Sequence, residues 1–561
     1  MRSVVVGWRA QIRQTVSFSC LALVLILVGV CAGPTEGIGS LPSETALPAA
    51  TVTMLATVMP TAKAVSHGKK IIEYGWDIPT AQFVEENIND MENHPFEGIV
   101  FTISGDNPYA FDTRPWNEGD MQLDTLAQIQ WHKFTDNFLL LWLGNRHLVD
   151  WFNDTDWQTI AANMRLYANA AKTAKCVGFV VDPEPYGPNP WQYTLQLYPG
   201  KSFAEVEAKV RQRGAQWLSA IQDEFPNPRI LSLYLMDIVR AQSGDDPANI
   251  PYIEYALLRA FLEGMLDVAS PGTVIIEGNE DAYYYDETNK YFDRYASLRN
   301  LPAGFLSLEN QAKYADQVEI GMALYMDNVL VQPVLGTTSF PDDYKLKWWE
   351  HNVYYALATT DEYVWCYSEG MDWWKNDIFP GGEEGIVFVK QKYSQGLPLG
   401  FDFYKTSGDY WDLDVPATIL TSPAVSITGP SYGATLIASV TITIQAAATG
   451  SNIERIEFYM NSQKYGESGG GSASYTWADL PAGAYIFLAR VFDADGKHGT
   501  SGSLPVTIVN HAVYLPVIFK APKPSGACLP AFQTLTYSRD GGKRVWWPNG
   551  KCQTVIENCS W

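Results

Sequence analysis

Asp182 and Glu184 stand two apart in the run Val181-Asp182-Pro183-Glu184-Pro185-Tyr186. On an extended chain, side chains two apart point the same way, so the two carboxyls belong to one site. Pro183 and Pro185 exclude helix there and stiffen the backbone. Two further carboxylates end β-rich runs: Glu369 in VWCYSEGMDWW, and Glu277 in TVIIEG, with Glu280 and Asp281 just behind it. Paired carboxyls suit glycosidic cleavage. One, protonated, gives its proton to the leaving oxygen; the other stabilises an oxocarbenium-like centre or activates water. Crowded carboxylates raise one another's pKa, which keeps the acid protonated near neutral pH. Glu184 is the expected acid, with Asp182 orienting it or tuning its pKa. Glu369 is the expected partner and Glu277 its rival. In the competing reading Asp182 and Glu184 serve a loop salt bridge to a basic side chain or a strand cap, and Glu277 is a ligand of a sugar hydroxyl. Polar and aromatic residues beside these carboxylates, namely Trp76, Asp77, Asn145, Tyr186, Tyr325, Trp373 and Trp374, are the candidates for holding a sugar ring.

Such residues need a scaffold that brings distant segments together. Between 69 and 414 eight runs dense in Val, Ile, Leu, Phe, Tyr and Trp recur at 70–77, 98–104, 138–144, 176–181, 230–237, 273–278, 318–327 and 362–369. Near-continuous apolar runs mark parallel strands covered on both faces. Helix-like stretches separate them. In 202–225, Val206, Val210, Trp217 and Ile221 fall close to one helical face. Eight strand–helix units predict a (β/α)8 TIM barrel, which places its chemistry at the C-terminal strand ends. The carboxylates above lie there. An open doubly wound sheet is the competitor, but no GxGxxG follows the first strand and no Walker loop is present. In a barrel, strands four and eight face each other across the mouth, so Glu184 with Glu369 would favour inversion. Strands four and six are closer, so Glu184 with Glu277 would favour retention. The sequence leaves both open.

The rest of the chain divides by texture. Arg2, Arg9 and Arg13 precede an apolar run from Cys20 to Ala32, too short to span a bilayer but suited to a signal peptide over 1–32. Cys31 offers the alternative of a lipid anchor. A Pro/Thr/Ala/Ser-rich linker follows over 33–68, and no later segment is apolar enough to span a membrane. The expected location is therefore secreted or extracellular, with attachment to the cell surface as the variant. Over 422–510 short alternating strands replace the barrel pattern; Val440, Ile442 and Ile444 alternate with Thr441 and Thr443, as in an all-β sandwich. A tail over 511–561 carries Cys528, Cys552 and Cys559, an odd number for internal pairing.

Composition narrows the classes. The 561 residues are 47% hydrophobic and 18% charged, enough for large cores and unlike a disordered chain. A formal charge of −23 with no basic run argues against nucleic acid as a partner. Seven His lie without ligand spacing and HExxH is absent, so no metal is expected. No cofactor motif and no GxSxG elbow is present. Cys176 and Cys366, inside strand runs, read as buried apolar residues. The 19 Trp supply packing as well as sugar contact: Trp131, Trp142, Trp151, Trp157, Trp217, Trp348, Trp349 and Trp365 fall where packing is expected.

Two resemblances add to this. ITGP at 427–430, IERIEFYMN at 453–461 and GAYIFLARVFDADG at 483–496 resemble the bacterial Ig-like modules appended to secreted carbohydrate-active enzymes, which implies a spacer role. The barrel with its strand-end carboxylates looks like the secreted barrel glycoside hydrolases. The D-x-E at 182–184 is similar to the end of the fourth-strand motif of family 18 chitinases. That implies Glu184 as acid, with Asp182 assisting a substrate acetamide. Gly178-Phe179-Val180-Val181 departs from that motif by lacking its earlier aspartates, which puts chitin in doubt and leaves the family unassigned. The expectation is a secreted glycoside hydrolase acting on a poly- or oligosaccharide. The alternatives are a non-catalytic glycan-binding protein on the same barrel, and a hydrolase or lyase acting on another polymer.

Overall fold

The computed structural model describes residues 68–105, 108–327, 342–404, 423–438 and 441–510, together with the backbone of Thr418–Leu420, Leu535–Tyr537, Lys543–Trp546 and Cys552–Thr554. The leader, the linker, Cys31, Val440, Cys528 and Cys559 lie outside the described residues.

The apolar runs form nine strands: β1 (Lys70–Gly75), β2 (Gly98–Phe101), β3 (Phe138–Trp142), β4 (Gly178–Asp182), β5 (Arg229–Ser232), β6 (Val274–Glu277), β7 (Val318–Ile320), β8 (Met322–Tyr325) and β9 (Tyr363–Ser368). They pair in parallel in the order β7-β6-β5-β4-β3-β2-β1-β9-β8. The two ends of this sheet, β7 and β8, are separated in the chain by Gly321 alone. The seventh run, expected as one strand over 318–327, is therefore split. Its first half pairs with β6 and its second with β9, which completes the ring. Gly321 is pressed between neighbours at that break; a Cβ there would sit 3.2 Å from the Glu277 carbonyl and 3.3 Å from that of Tyr363.

Helices cover the outside: α1 (Ala81–Met91), α2 (Leu123–Gln128), α3 (Asp154–Thr173), α4 (Phe203–Glu224), α5 (Met236–Ser243), α6 (Leu258–Val268), α7 (Thr288–Arg299), α8 (Leu308–Gln317), α9 (Asp342–Thr359) and α10 (Gly382–Ser394). Local chemistry starts the long ones. Asn153 caps α3 by accepting from the Thr155 and Asp156 N–H groups, while Ser202 and Glu205 form a reciprocal capping box on α4. The α4 face bearing Val206, Val210, Trp217 and Ile221 is buried. No helix among the described residues is long and apolar enough to cross a membrane.

Contacts across the ring reveal which strand positions point inward. Tyr363 of β9 meets the Phe138 ring of β3 at 5.6 Å and lies under the Arg229 guanidinium of β5 at 5.3 Å. None of these strands is adjacent, so the residues meet inside the barrel. Period-two alternation then turns Trp365, Tyr367, Leu140 and Trp142 inward as well. Register carries the assignment to Tyr74, opposite Tyr367, to Asp182, opposite Trp142, and to Tyr325. Phe179, Ser232, Glu277, Glu73 and Cys366 take the other phase and point toward the helices. Phe179 accordingly packs on Tyr167 of α3 and on Phe225 at the end of α4.

After β10 (Asp402–Tyr404) and β11 (Thr418–Leu420), the chain forms an all-β sandwich. One sheet joins β12 (Ala424–Gly429), β14 (Ile442–Thr449) and β17 (Ser472–Trp477). The other joins β13 (Ala434–Ile437), β15 (Ile453–Met460), β16 (Gln463–Gly469), β18 (Gly483–Asp493), β19 (His498–Thr500) and β20 (Leu504–Val509). Ile442, Ile444 and Ala446 are buried while Thr443 and Gln445 are exposed, the alternation legible in the sequence. Residues 535–554 add three short antiparallel strands, with Cys552 on the last.

The sandwich is docked on the barrel rather than tethered to it. Tyr459 and Leu488 belong to the barrel's core cluster. Arg490, buried, donates to Asn289 Oδ1 at 2.7 Å and lies 4.4 Å above the Phe292 ring of α7. His498 Nδ1 and the Tyr355 hydroxyl of α9 both bond Asp402. Ser462 donates to the Ala358 carbonyl at 2.8 Å. At Gly502 an added Cβ would fall 1.9 Å from the Gly396 carbonyl, so the two backbones touch there.

Candidate active site

The inward residues at the C-terminal strand ends build an aromatic mouth. Tyr74, Trp365, Tyr367, Tyr325 and Tyr283 form one wall, with neighbouring ring centroids 5.0–6.5 Å apart. Trp142 and Tyr186 form the facing wall, 4.6 Å apart and inclined by 32°. Tyr234 and Tyr255, from the chain after β5, share a 2.8 Å hydroxyl contact. Trp76 stands at the rim, 62% exposed, its indole N–H bonded to the Tyr367 hydroxyl.

Asp182 and Glu184 lie together at the end of β4. The Glu184 N–H donates to Asp182 Oδ1 at 2.9 Å, an Asx turn that fixes the loop. The Tyr186 hydroxyl lies 2.8 Å from Asp182 Oδ2 and 3.1 Å from Glu184 Oε2, so it bridges the two carboxyls. Trp191, fully buried, donates to the Pro183 carbonyl at 2.8 Å and props the loop from below. Asp182 has no exposed surface. Burial first, then the charge of Glu184, holds its pKa well above the usual carboxylate range. Glu184 is only partly buried and opens to the mouth.

Glu369 sits exposed after β9, accepting from the Tyr325 hydroxyl at 2.5 Å. Its backbone is strapped down: Asp327 accepts the Glu369 N–H at 2.5 Å and the Gly370 N–H at 3.2 Å. Asp77 accepts the Trp373 N–H at 2.8 Å and the Ser368 hydroxyl at 3.2 Å. Asp77 therefore anchors the loop after β9.

Four other candidates stand away from the opening. Glu277 is fully buried on the outward phase of β6, where it accepts the Leu235 N–H at 2.8 Å and the Met236 N–H at 2.6 Å. It ties down the start of α5. Trp373 is fully buried, edge-on to Phe96 at 4.7 Å, and offers no face to a sugar. Trp374 packs beside it, edge-on to His94 at 5.7 Å. Asn145 is buried, donating to the Phe111 carbonyl at 2.7 Å and accepting from the Arg146 N–H, so both ends of its amide are engaged.

Sequence reasoning missed Tyr74, Trp142, Tyr234, Tyr255, Tyr283 and Tyr367 as mouth residues. Alternation along 363–368 groups Tyr363, Trp365 and Tyr367 on one face, but only cross-barrel contacts reveal that this face is the lumen. Among the described residues, no cluster of His, Cys, Asp and Glu is arranged to hold a metal ion.

Comparison with known proteins identifies one part of the chain. Residues 423–489 match the family of the bacterial Ig domain. No curated protein matches the chain. Among solved structures, a Cellulomonas fimi endo-beta-1,4-mannanase double mutant is 10% identical, covering 79% of this chain and 95% of that one at a TM-score of 0.33. A calcium-binding mutant of Bacteroides uniformis beta-glucuronidase 2 is 9% identical over 78% of this chain and 46% of that one, at a TM-score of 0.29. The fibronectin(III)-like modules of Clostridium thermocellum CbhA are 24% identical over 15% of this chain and 93% of theirs, at 0.15. None of these reaches a TM-score of 0.5. The chain is a parallel (β/α) barrel followed by a bacterial Ig-like region.

Proposed function

We propose that the protein is an exported glycoside hydrolase whose barrel mouth cleaves glycosidic bonds of a poly- or oligosaccharide, with Glu184 as the general acid. The observation that carries this reading is the Asp182–Tyr186–Glu184 unit in a mouth walled by Tyr and Trp. A sugar ring stacked on Trp142, Tyr186 or Trp76 would present its glycosidic oxygen to Glu184, the open member of the pair. Asp182, inaccessible and reluctant to ionise, acts through its hydrogen bonds to set the position of Glu184 rather than by touching substrate. Asp77, Asn145 and Glu277 are assigned to holding loops. Tyr325 and Glu369 remain on the wall and rim, where they would bind sugar hydroxyls.

Release of reducing sugar from a polysaccharide panel tests this reading. The wild type is expected to release sugar from at least one glycan, and Glu184→Gln to lose about 10²–10⁴-fold in rate with its near-UV circular dichroism unchanged. Glycan binding without release by the wild type would favour the non-catalytic alternative.

A further inference from the structure

A retaining hydrolase needs a second carboxylate facing the anomeric carbon, and the expected partners are poorly placed for it. Glu277 is sealed behind the sheet, and Glu369 stands exposed on the rim, bonded to Tyr325. The chain immediately after β6 supplies another. Gly278 and Glu280 donate their N–H groups to the Ser232 and Leu233 carbonyls at 2.7 and 3.1 Å, which lays this segment across the end of β5. Asn279, buried and left-handed at φ 52°, turns the chain there. The Trp365 indole, inside the barrel, donates to the Gly278 carbonyl at 2.8 Å. A single 3₁₀ turn, Glu280–Tyr284, follows. In a 3₁₀ helix residues i and i+3 eclipse, so Glu280 and Tyr283 share a face. Tyr283 lies against Tyr325, Trp365 and Tyr367 at 5.0–5.3 Å, all on the inner surface, so Glu280 projects over the mouth.

We propose that Glu280 is the catalytic nucleophile working opposite Glu184; this rests on the glycosidase reading above. Strands β4 and β6 are separated only by β5, so their axes lie about 10 Å apart. Carboxyls reaching inward from both can approach the short separation of a retaining pair. Electrostatics agree. The charges of Glu184 and Glu280 both act on Asp182, on Tyr74 of β1 and on Tyr234 and Tyr255 after β5, although burial is the larger influence on each. Groups on β1, on β4 and in the chain after β5 thus stand within electrostatic reach of both carboxyls.

In the first step a Glu280 oxygen bonds to the anomeric carbon as the bond to the leaving oxygen breaks. The leaving oxygen keeps the electron pair and takes the proton of Glu184. In the second, Glu184, now a carboxylate, takes a proton from water while the water oxygen bonds to the anomeric carbon. The ester to Glu280 breaks, and both residues return to their starting states. The sum is hydrolysis with the anomeric configuration kept.

The test uses the full-length wild type and a 2-deoxy-2-fluoro glycosyl fluoride of the monosaccharide released in the panel. Glu280 should carry the trapped ester by peptide mapping, and NMR of the first-formed product should show retention. Glu280→Gln should lose about 10³-fold or more in turnover. Azide should restore turnover to Glu280→Ala, giving a glycosyl azide of inverted configuration. A label on Glu369 or Asp182, an inverted product, or a Glu280→Gln variant within tenfold of wild type would overturn the proposal while the glycosidase reading stood. A wild type inactive on every glycan would instead defeat that reading.

Discussion

Tyr186 joins the two carboxyls at the end of β4. Its ring is 42% exposed, yet its hydroxyl reaches inward to both carboxyls. That bond favours the ionised form of Asp182 against burial. Tyr186→Phe should therefore lower kcat/KM by about 10–100-fold, the value of a hydrogen bond to a charged group. It should also move the limb of the pH–rate profile that reports Asp182 to higher pH. An unmoved profile would mean that Asp182 is not coupled to turnover. The pairing of Asp182 with Glu184 was legible in the sequence, because spacing and flanking prolines are local properties. The positions of Glu277, Trp373 and Asn145 were not. Each stands beside a strand end, as site residues do, but the strand phase and loop packing that turn them away depend on partners distant in sequence.

The loop after β9 is positioned by carboxylates at the ends of β1 and β8. Asp77 and Asp327 take three of its backbone N–H groups. Asp327→Ala should loosen it, so limited proteolysis should cut within 369–377 faster than in wild type while the melting temperature falls by only a few degrees. Beneath Asp77 lies Glu73, fully buried. Burial, then the charges of Asp77 and Asp372, push its pKa well up. The folded state therefore holds this proton to higher pH than the unfolded chain, and stability falls as pH rises from the ordinary Glu value near 4.3 through the raised one. Glu73→Gln should match wild type near pH 4. It should then grow more stable than wild type by up to about 1.4 kcal/mol per pH unit across that window. Melting curves at pH 4, 6 and 8 measure this, and a gap independent of pH would show that Glu73 does not titrate there. The strand runs were readable because each is a continuous apolar segment. The split at Gly321 was not, since it arises only from closing the ring.

At the scale of the whole molecule, the Ig-like region behaves as a brace. The textual resemblance implied a spacer, and alternation placed its strands, but its docked face carries ordinary strand residues such as Tyr459, Leu488 and Arg490. Nothing local distinguishes them from residues facing water. Arg490→Ala, which removes the bond to Asn289 and the contact with Phe292, should cost about 1–3 kcal/mol. Unfolding of residues 68–510 should be a single transition; two separable transitions would contradict the docked arrangement.

The central claim is that Glu184 delivers the proton to the departing oxygen, and leaving-group dependence tests it most directly. Rates should be compared for wild type and Glu184→Gln on the natural glycan and on the dinitrophenyl glycoside of the same sugar, whose leaving group needs no proton. A loss of about 10²–10⁴-fold in kcat/KM on the glycan with near-normal kcat/KM on the dinitrophenyl glycoside is the predicted result. The ratio kcat/KM reports the step that breaks the bond to the leaving oxygen and not the later step in which Glu184 acts as base. Equal losses on both substrates, or none on either, would contradict it.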